Sequence, residues 1–231
     1  MEHRRLTLFA GHYGSGKTSL AIRYALELRK AGESVAIADL DIVNPYFRTK
    51  DHEETLRAAG IDLICSAFAG SNLDVPAMPP EVYDLIRERD RCGVLDIGGD
   101  DRGALALGRY VGAIREEDDY EMLFVANFSR PLTRTPGDAM DVMREVETAC
   151  GLPFTGIVNN TNLGIDTAAE DVLASLPKAE ALCRLSGLPL RFTSYRSALG
   201  DELKDKLCPG FPLETSDTFY PIQTEVYRDH A

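Results

Sequence analysis

The sequence predicts an α/β fold, a three-layer α/β/α sandwich around a mainly parallel sheet. Short apolar runs, typical of buried strands, alternate with longer amphipathic stretches along most of the chain. The first apolar run leads into a glycine-rich loop and then a helix, and polar side chains follow several later runs. This alternation implies right-handed βαβ units, with helices on both faces of the sheet and ligands at the carboxyl ends of its strands.

One domain is expected from the length of 231 residues, since α/β domains of this size commonly remain one unit. We predict a single domain over 1–231, with a core over about 5–195 and a C-terminal extension over 196–231. The composition is 44% hydrophobic and 27% charged, which is typical of a globular protein rather than a disordered chain.

The first predicted unit is strand, loop and helix. The apolar run Leu6–Ala10 reads as a buried strand that ends at a glycine. Leu20, Tyr24 and Leu28 then recur at helical spacing, and Gly32 supplies a stop.

The remaining elements follow the same pattern. Further strands are predicted over 34–41, 61–68, 93–101, 121–127, 154–160 and 188–194. Helices are predicted over 81–90, 103–115, 136–150 and 167–186. Thr135 and Pro136 suit the cap and first residue of the third of these helices, and Gly151 suits its end.

The segment GHYGSGKT, Gly11 to Thr18, matches the phosphate-loop pattern G-x-x-x-x-G-K-T. Its glycines let successive backbone N–H groups point at one place, and the following helix adds the positive end of its dipole. We expect Lys17 to reach the β- and γ-phosphates and the Thr18 hydroxyl to ligate Mg²⁺. The nucleotide-binding candidates here are Gly11, His12, Tyr13, Gly14, Ser15, Gly16, Lys17, Thr18 and Ser19.

Acidic residues at two strand ends are candidates for the metal. Mg²⁺ prefers oxygen ligands, so a phosphate loop needs a carboxylate opposite it, and Asp96 ends an apolar run before two glycines. Asp39 and Asp41 are two residues apart and share a face in an extended strand. One of them can hold a metal-bound water while the other orients the attacking water. The alternatives are a turn former at Asp96 and a pair of solvated loop acids.

Three segments, GHYGSGKT, ADLDIVNPYFR and VLDIGGDD, resemble the CobQ/CobB/MinD/ParA nucleotide-binding family of SIMIBI-like (deviant Walker) P-loop ATPases. The resemblance covers about 5–195. It implies a P-loop NTPase fold that binds ATP and Mg²⁺, forms a face-to-face homodimer and controls a partner protein through its nucleotide state. By position it implies Lys17 and Asp41 as catalytic residues, Asp41 orienting water, and Thr18, Asp39 and Asp96 as metal residues.

The sequence departs from that family in one place. Dimerising members carry a second lysine early in the loop, K-G-G-x-G-K-T, that reaches the partner subunit's nucleotide, and here the pair is His12-Tyr13. Histidine is not a permanent cation. His12 either donates a hydrogen bond to phosphate or occupies the outer side of the loop, and Tyr13 is expected to pack locally or shield the nucleotide.

Asn159 and Asn160 end the predicted strand over 154–160, where the family reads the base. Guanine-specific loops use N-K-x-D, whose carboxylate accepts two N–H donors. The amides of N-N-T-N can both donate and accept, as the adenine edge requires, which favours ATP over GTP. The alternative is a simple turn, where asparagine is common.

The leading function is therefore a slow ATPase that acts as a switch or as an accessory or maturation factor for a protein client. A small-molecule kinase or ligase of the dethiobiotin-synthetase or cobyrinate-amidating type would transfer phosphate to an acceptor instead. A third alternative is an ATP sensor that does not hydrolyse ATP.

Charge and composition bear on partners and location. The formal charge of −12 opposes nonspecific binding to nucleic acid or anionic lipid, so neither DNA nor membrane is an expected partner. Five scattered cysteines and no recognisable export signal favour free thiols in the cytoplasm. The segment NPYFRTKD over 44–51 follows Asp39 and Asp41 closely. It either forms a surface that a partner contacts, or its aromatic residues Tyr46 and Phe47 pack under the loop that carries these acids. Arg102, Arg130 and Arg134 can contact phosphate or a partner, although single loop arginines are usually solvated.

Overall fold

A computed structural model describes residues 3–41, 49–65, 79–99, 101–203, 205–207 and 210–213. Within these ranges the strands are β1 Leu6–Ala10, β2 Val35–Leu40, β3 Asp62–Cys65, β4 Cys92–Ile97, β5 Tyr120–Ala126, β6 Gly156–Asn159, β7 Leu190–Arg196 and β8 Gly210–Leu213. The α-helices are α1 Lys17–Lys30, α2 Glu53–Ala58, α3 Glu81–Arg87, α4 Asp101–Gly108, α5 Val111–Glu117, α6 Pro136–Cys150, α7 Ala169–Ser186 and α8 Gly200–Leu203.

The strands form one sheet in the order β3-β2-β4-β1-β5-β6-β7-β8, and every neighbouring pair is parallel. Parallel neighbours need crossovers, and the helices supply them. The predicted three-layer α/β/α sandwich with a parallel sheet is confirmed. Because β1 lies between β4 and β5, the loop after β1 sits at the middle of the carboxyl edge.

Successive residues of β1 face opposite layers. Leu6, Leu8 and Ala10 pack in the layer formed with α3 to α7, while Phe9 packs in the layer formed with α1 and α2. All four are fully buried. This two-sided burial explains why β1 reads as a continuous apolar run rather than as an alternating one.

Several local predictions are confirmed. The apolar positions of α1, Leu20, Tyr24 and Leu28, are buried. At the start of α6 the Thr135 side chain accepts from the Asp138 N–H in a capping box, with Pro136 at the first position. Gly151 ends the same helix with φ +74°.

Several predictions differ from the structure. The strand predicted over 93–101 ends at Ile97, and the helix α2, Glu53–Ala58, was not predicted. The helix predicted over 103–115 is two helices, α4 and α5, because the chain turns at Arg109 and Tyr110. The turn buries the Tyr110 ring and lets its hydroxyl donate to the carbonyl of Pro79 at 3.2 Å. The sheet also continues past Tyr195, since β8 in the C-terminal extension pairs with β7.

Among the described helices none is both long and apolar enough to cross a membrane.

Candidate nucleotide-binding site

The loop between β1 and α1 has the backbone of an anion-binding turn. Gly11, Gly14 and Gly16 have φ values of +150°, +75° and +87°, which residues with a side chain rarely adopt. The Ser15 N–H donates to the carbonyl of His12 at 3.2 Å and tightens the turn. A Cβ on Gly11 would lie 2.7 Å from the carbonyl oxygen of Val125, so the loop is pressed against β5.

Lys17 begins α1 and is buried at the centre of this loop, with a relative exposure of 6%. Its ammonium donates to the carbonyl of His12 at 3.3 Å, so it curls back over the loop. Gly99, two residues after β4, lies directly against it. A Cβ on Gly99 would be 2.8 Å from the Lys17 Nζ and 2.7 Å from the backbone nitrogen of Tyr13. The segment after β4 therefore contacts both the lysine and a loop amide.

Three predicted acids meet beside Lys17. Asp39 and Asp96 are register partners on the adjacent strands β2 and β4. The backbone N–H of Asp41 donates to Asp39 Oδ1 at 3.0 Å, and a Cβ on Gly98 would lie 3.2 Å from Asp41 Oδ1. All three side chains are at most 9% exposed. The strand register thus brings Asp96 next to two acids that lie more than fifty residues earlier in the sequence.

The electrostatics of this cluster favour a cation. Burial raises the pKa of Asp96, and the Asp41 carboxylate raises it further, while the Lys17 ammonium and the Thr18 and Thr49 hydroxyls oppose the rise. Among the described residues, three buried carboxylates and the Lys17 ammonium thus lie close together at the carboxyl edge.

The donor set fits Mg²⁺. Asp96 Oδ1 is buried and has no hydrogen-bond partner among the described residues. The Thr18 hydroxyl is among the groups that lower the Asp96 pKa, so these two predicted metal residues lie close together. Carboxylate and hydroxyl oxygens are the ligands that Mg²⁺ prefers, and Thr18, Asp39 and Asp96 would hold it.

The two asparagines at the end of β6, Asn159 within the strand and Asn160 directly after it, are buried at this edge. Asn159 is fully buried, donates to the Ser175 hydroxyl at 2.7 Å and accepts from the Thr161 hydroxyl at 2.7 Å. Asn160 is 3% exposed and donates to the Ser15 carbonyl at 2.7 Å while its Oδ1 accepts from the Ser194 hydroxyl. Both amides are thus engaged by the protein, and their contact with a base stays a prediction.

The other predicted loop residues lie in different environments. His12 is half-buried, and its Nδ1 lies 2.9 Å from the Tyr13 carbonyl oxygen. Tyr13 is exposed, with a relative exposure of 51%. Ser15 is buried with no partner for its hydroxyl among the described residues, and Ser19 is half-buried. The aromatic pair Tyr46 and Phe47 of the predicted partner segment lies outside the described residues.

Two contacts were not foreseen from the sequence. The Thr49 hydroxyl, fully buried, donates to Asp96 Oδ2 at 3.2 Å. No sequence signal distinguishes this threonine from a surface one. Arg130, one of the three loop arginines considered above, donates from Nε to the Gly14 carbonyl at 2.8 Å. The sequence feature that indicates this contact is the position of Arg130 just after β5, the strand that lies beside β1.

Large apolar side chains are exposed in loops at the same carboxyl edge. They come from the loops after β1, β5 and β6, whose strands all end there because the sheet is parallel. These residues, each 48 to 59% exposed, are Tyr13, Leu132, Leu163 and Ile165. Exposed apolar side chains of this kind beside a candidate site are often contact points for another macromolecule.

Comparison with solved structures supports the fold. Cell division protein FtsY from Thermotoga maritima is similar over 82% of this chain and 60% of its own, at 17% identity and a TM-score of 0.55. FtsY from Mycoplasma mycoides is similar over 84% and 61%, at 18% identity and a TM-score of 0.55. Signal Recognition Particle 54 kDa protein from Aeropyrum pernix K1, solved with GDP, is similar over 83% and 41%, at 16% identity and a TM-score of 0.50.

This chain covers less than two thirds of the length of each of these three proteins. At such identities the likeness shows the fold alone, which is that of the P-loop NTPases. No protein-family model and no curated protein matches the sequence.

Proposed function

We propose that this chain is a MgATP-binding P-loop ATPase that acts as a nucleotide-dependent switch or as an accessory or maturation factor for a partner protein. The observation that carries the proposal is the position of Gly99 between Lys17 and the Tyr13 amide. A γ-phosphate bound by Lys17 must share this space with the Gly99 backbone. ATP and ADP therefore favour different positions of the segment after β4.

That segment leads directly to the protein surface. Helix α4 begins at Asp101, two residues after Gly99, and Gly103 packs so closely on Gly98 that a Cβ would collide with it. Leu105 on the same helix is 60% exposed. A shift at Gly99 is thus coupled to a surface with an exposed apolar side chain, as a partner-sensing switch requires.

Each residue of the site has a distinct role in the proposed reaction. Lys17 and the loop amides bind the phosphates, and Asp41 holds and orients the attacking water. Magnesium, when bound through Thr18, Asp39 and Asp96, supplies positive charge to the phosphate oxygens. Positioning and charge stabilisation are what phosphoryl transfer mainly needs from a protein.

ATP is proposed as the nucleotide because Asn162 stands where a guanine-reading loop carries its aspartate. The Asn162 amide donates to the Asn160 carbonyl at 2.7 Å and accepts from the Gly164 N–H at 3.1 Å, which holds the loop in shape. Since one of the similar structures contains GDP, GTP is the necessary comparison nucleotide.

Nucleotide binding and hydrolysis test the chemistry of the proposal. We expect Lys17→Ala to lose ATP binding by calorimetry, whereas Lys30→Ala on the exposed end of the same helix keeps it. Asp41→Asn should keep binding and lose hydrolysis in a single-turnover assay, with Asp62→Asn as the exposed control. Normal ATP binding by Lys17→Ala would contradict the site, and equal hydrolysis by Asp41→Asn would deny Asp41 its role.

The switch is tested by hydrogen exchange. Amides over 98–108 should exchange differently with MgADP and with a non-hydrolysable MgATP analogue, while amides of α7 should not. Identical exchange in the two states would contradict a switch. Phosphate appearing on an added acceptor, rather than free in solution, would favour a kinase instead.

A further inference from the structure

The Arg130 guanidinium contacts the phosphate loop from the side of β5. Its Nε donates to the Gly14 carbonyl at 2.8 Å, and a Cβ on Gly14 would lie 3.6 to 3.9 Å from Nε, Cδ and Cζ. The side chain is exposed. No carboxylate among the described residues forms an ion pair with it. A permanent cation with several unused donors therefore lies at the rim of an anion-binding loop.

The segment that carries Arg130 is held in place by Asn127, which is fully buried at the end of β5. The Asn127 carbonyl accepts from the Arg130 N–H at 3.1 Å and from the Thr133 hydroxyl at 2.6 Å. Its side-chain oxygen accepts from the Ser129 N–H at 3.0 Å. These bonds fix the backbone under Arg130, so the guanidinium is presented to the loop from a defined position.

The strand order separates Arg130 from the acids. Asp39 and Asp96 lie on β2 and β4, on one side of β1, whereas Arg130 follows β5 on the other side. A triphosphate bound at the end of β1 with its metal-bound terminal phosphate toward the acids would have its non-terminal phosphates toward β5. Guanidinium matches phosphate oxygens with a planar pair of N–H donors.

We propose that Arg130 binds the non-terminal phosphates of the nucleotide held in its own chain. It sets the affinity for ADP and ATP alike and takes little part in cleavage of the terminal phosphate. This inference rests on the proposed nucleotide binding and adds to it a residue that acts from the edge opposite the metal.

The test compares calorimetric binding of MgADP and MgATP with single-turnover hydrolysis at saturating MgATP. Arg130→Ala should weaken both affinities about tenfold and leave the hydrolysis rate within about threefold. Arg130→Lys keeps the charge and should recover part of the affinity. Arg134→Ala, the exposed arginine of the same loop, should match the wild type.

A purely structural role on Gly14 gives different results. Arg130→Gln can still donate to the Gly14 carbonyl, so it would restore binding if that hydrogen bond were all that mattered. We expect it instead to bind as weakly as the alanine variant and, like it, to show a shallower dependence of affinity on salt than the wild type.

Affinities of Arg130→Ala within twofold of the wild type, or full recovery by Arg130→Gln, would overturn the inference. A loss confined to ATP would overturn its assignment to the non-terminal phosphates. Wild-type binding that is abolished in Lys17→Ala establishes the proposed site whatever the Arg130 variants do, whereas absence of wild-type binding would overturn both.

Discussion

Asn160→Ala tests whether the loop after β6 positions the phosphate loop or reads the base. The Asn160 amide donates to the Ser15 carbonyl at 2.7 Å and accepts from the Ser194 hydroxyl, with 3% of the residue exposed. The alanine substitution removes both hydrogen bonds, and the Ser15 carbonyl loses the donor that Asn160 supplied. The Ser194 hydroxyl is less affected, because it also lies 3.3 Å from the Asn159 carbonyl oxygen.

The expected magnitude follows from these contacts. A lost hydrogen bond costs about 1 kcal/mol and an unsatisfied buried partner up to about 3. Since Ser194 keeps an alternative acceptor, we expect the free energy of unfolding to fall by about 1.5 kcal/mol. Ser15 belongs to the phosphate loop, so loosening it should weaken nucleotide binding, and about 1.4 kcal/mol corresponds to tenfold in affinity.

Two measurements check this prediction. Urea unfolding followed by circular dichroism gives the stability change, and calorimetry with MgATP and MgGTP gives the affinities. Asp166→Ala changes an exposed side chain farther along the same loop, and it serves as the control. Loop positioning predicts equal losses for the two nucleotides. A loss of ATP binding with GTP binding unchanged, or no loss of either stability or affinity, would refute the positioning role.

Three other substitutions separate the parts of the site. Gly16→Ala should cost about 2 kcal/mol of stability in urea and abolish ATP binding, because φ is +87° and the new Cβ would collide with the Asn160 amide; wild-type binding would contradict this. Gly99→Ala should bring a methyl group against Lys17 and slow ATP hydrolysis at least tenfold in a single-turnover assay, while ADP affinity stays within threefold; equal hydrolysis would argue against the switch contact. Glu121→Gln should cost about 2 kcal/mol in urea, because it removes the ion pair of a buried carboxylate with Arg191 at 3.0 Å. Glu121 lies near the amino end of β5, whereas the candidate site lies at the carboxyl ends of the strands. Calorimetry should therefore give an unchanged ATP affinity. A tenfold loss would show that the two ends of the sheet are coupled.

The local features of this protein could be predicted from the sequence. The phosphate-loop pattern, the helical spacing after it and the cap at Thr135 each depend on residues close together in the chain. So does the burial of β1, whose apolar run requires cover on both faces. The fold class followed from repeating such units, since parallel strands need crossovers and crossovers need helices.

Only the tertiary structure determines which strands are neighbours and which of the loops that follow them are in contact. Asn160 bonds Ser15 across 145 positions of sequence, and Arg130 bonds Gly14 across 116. The contact of Gly99 with both Lys17 and the Tyr13 amide depends on β4 lying beside β1. Sequence patterns report which face of a helix or strand is buried, and such patterns repeat along many elements of the chain. Which strand lies beside which, and hence which polar side chains share an edge, depends on how the assembled layers pack.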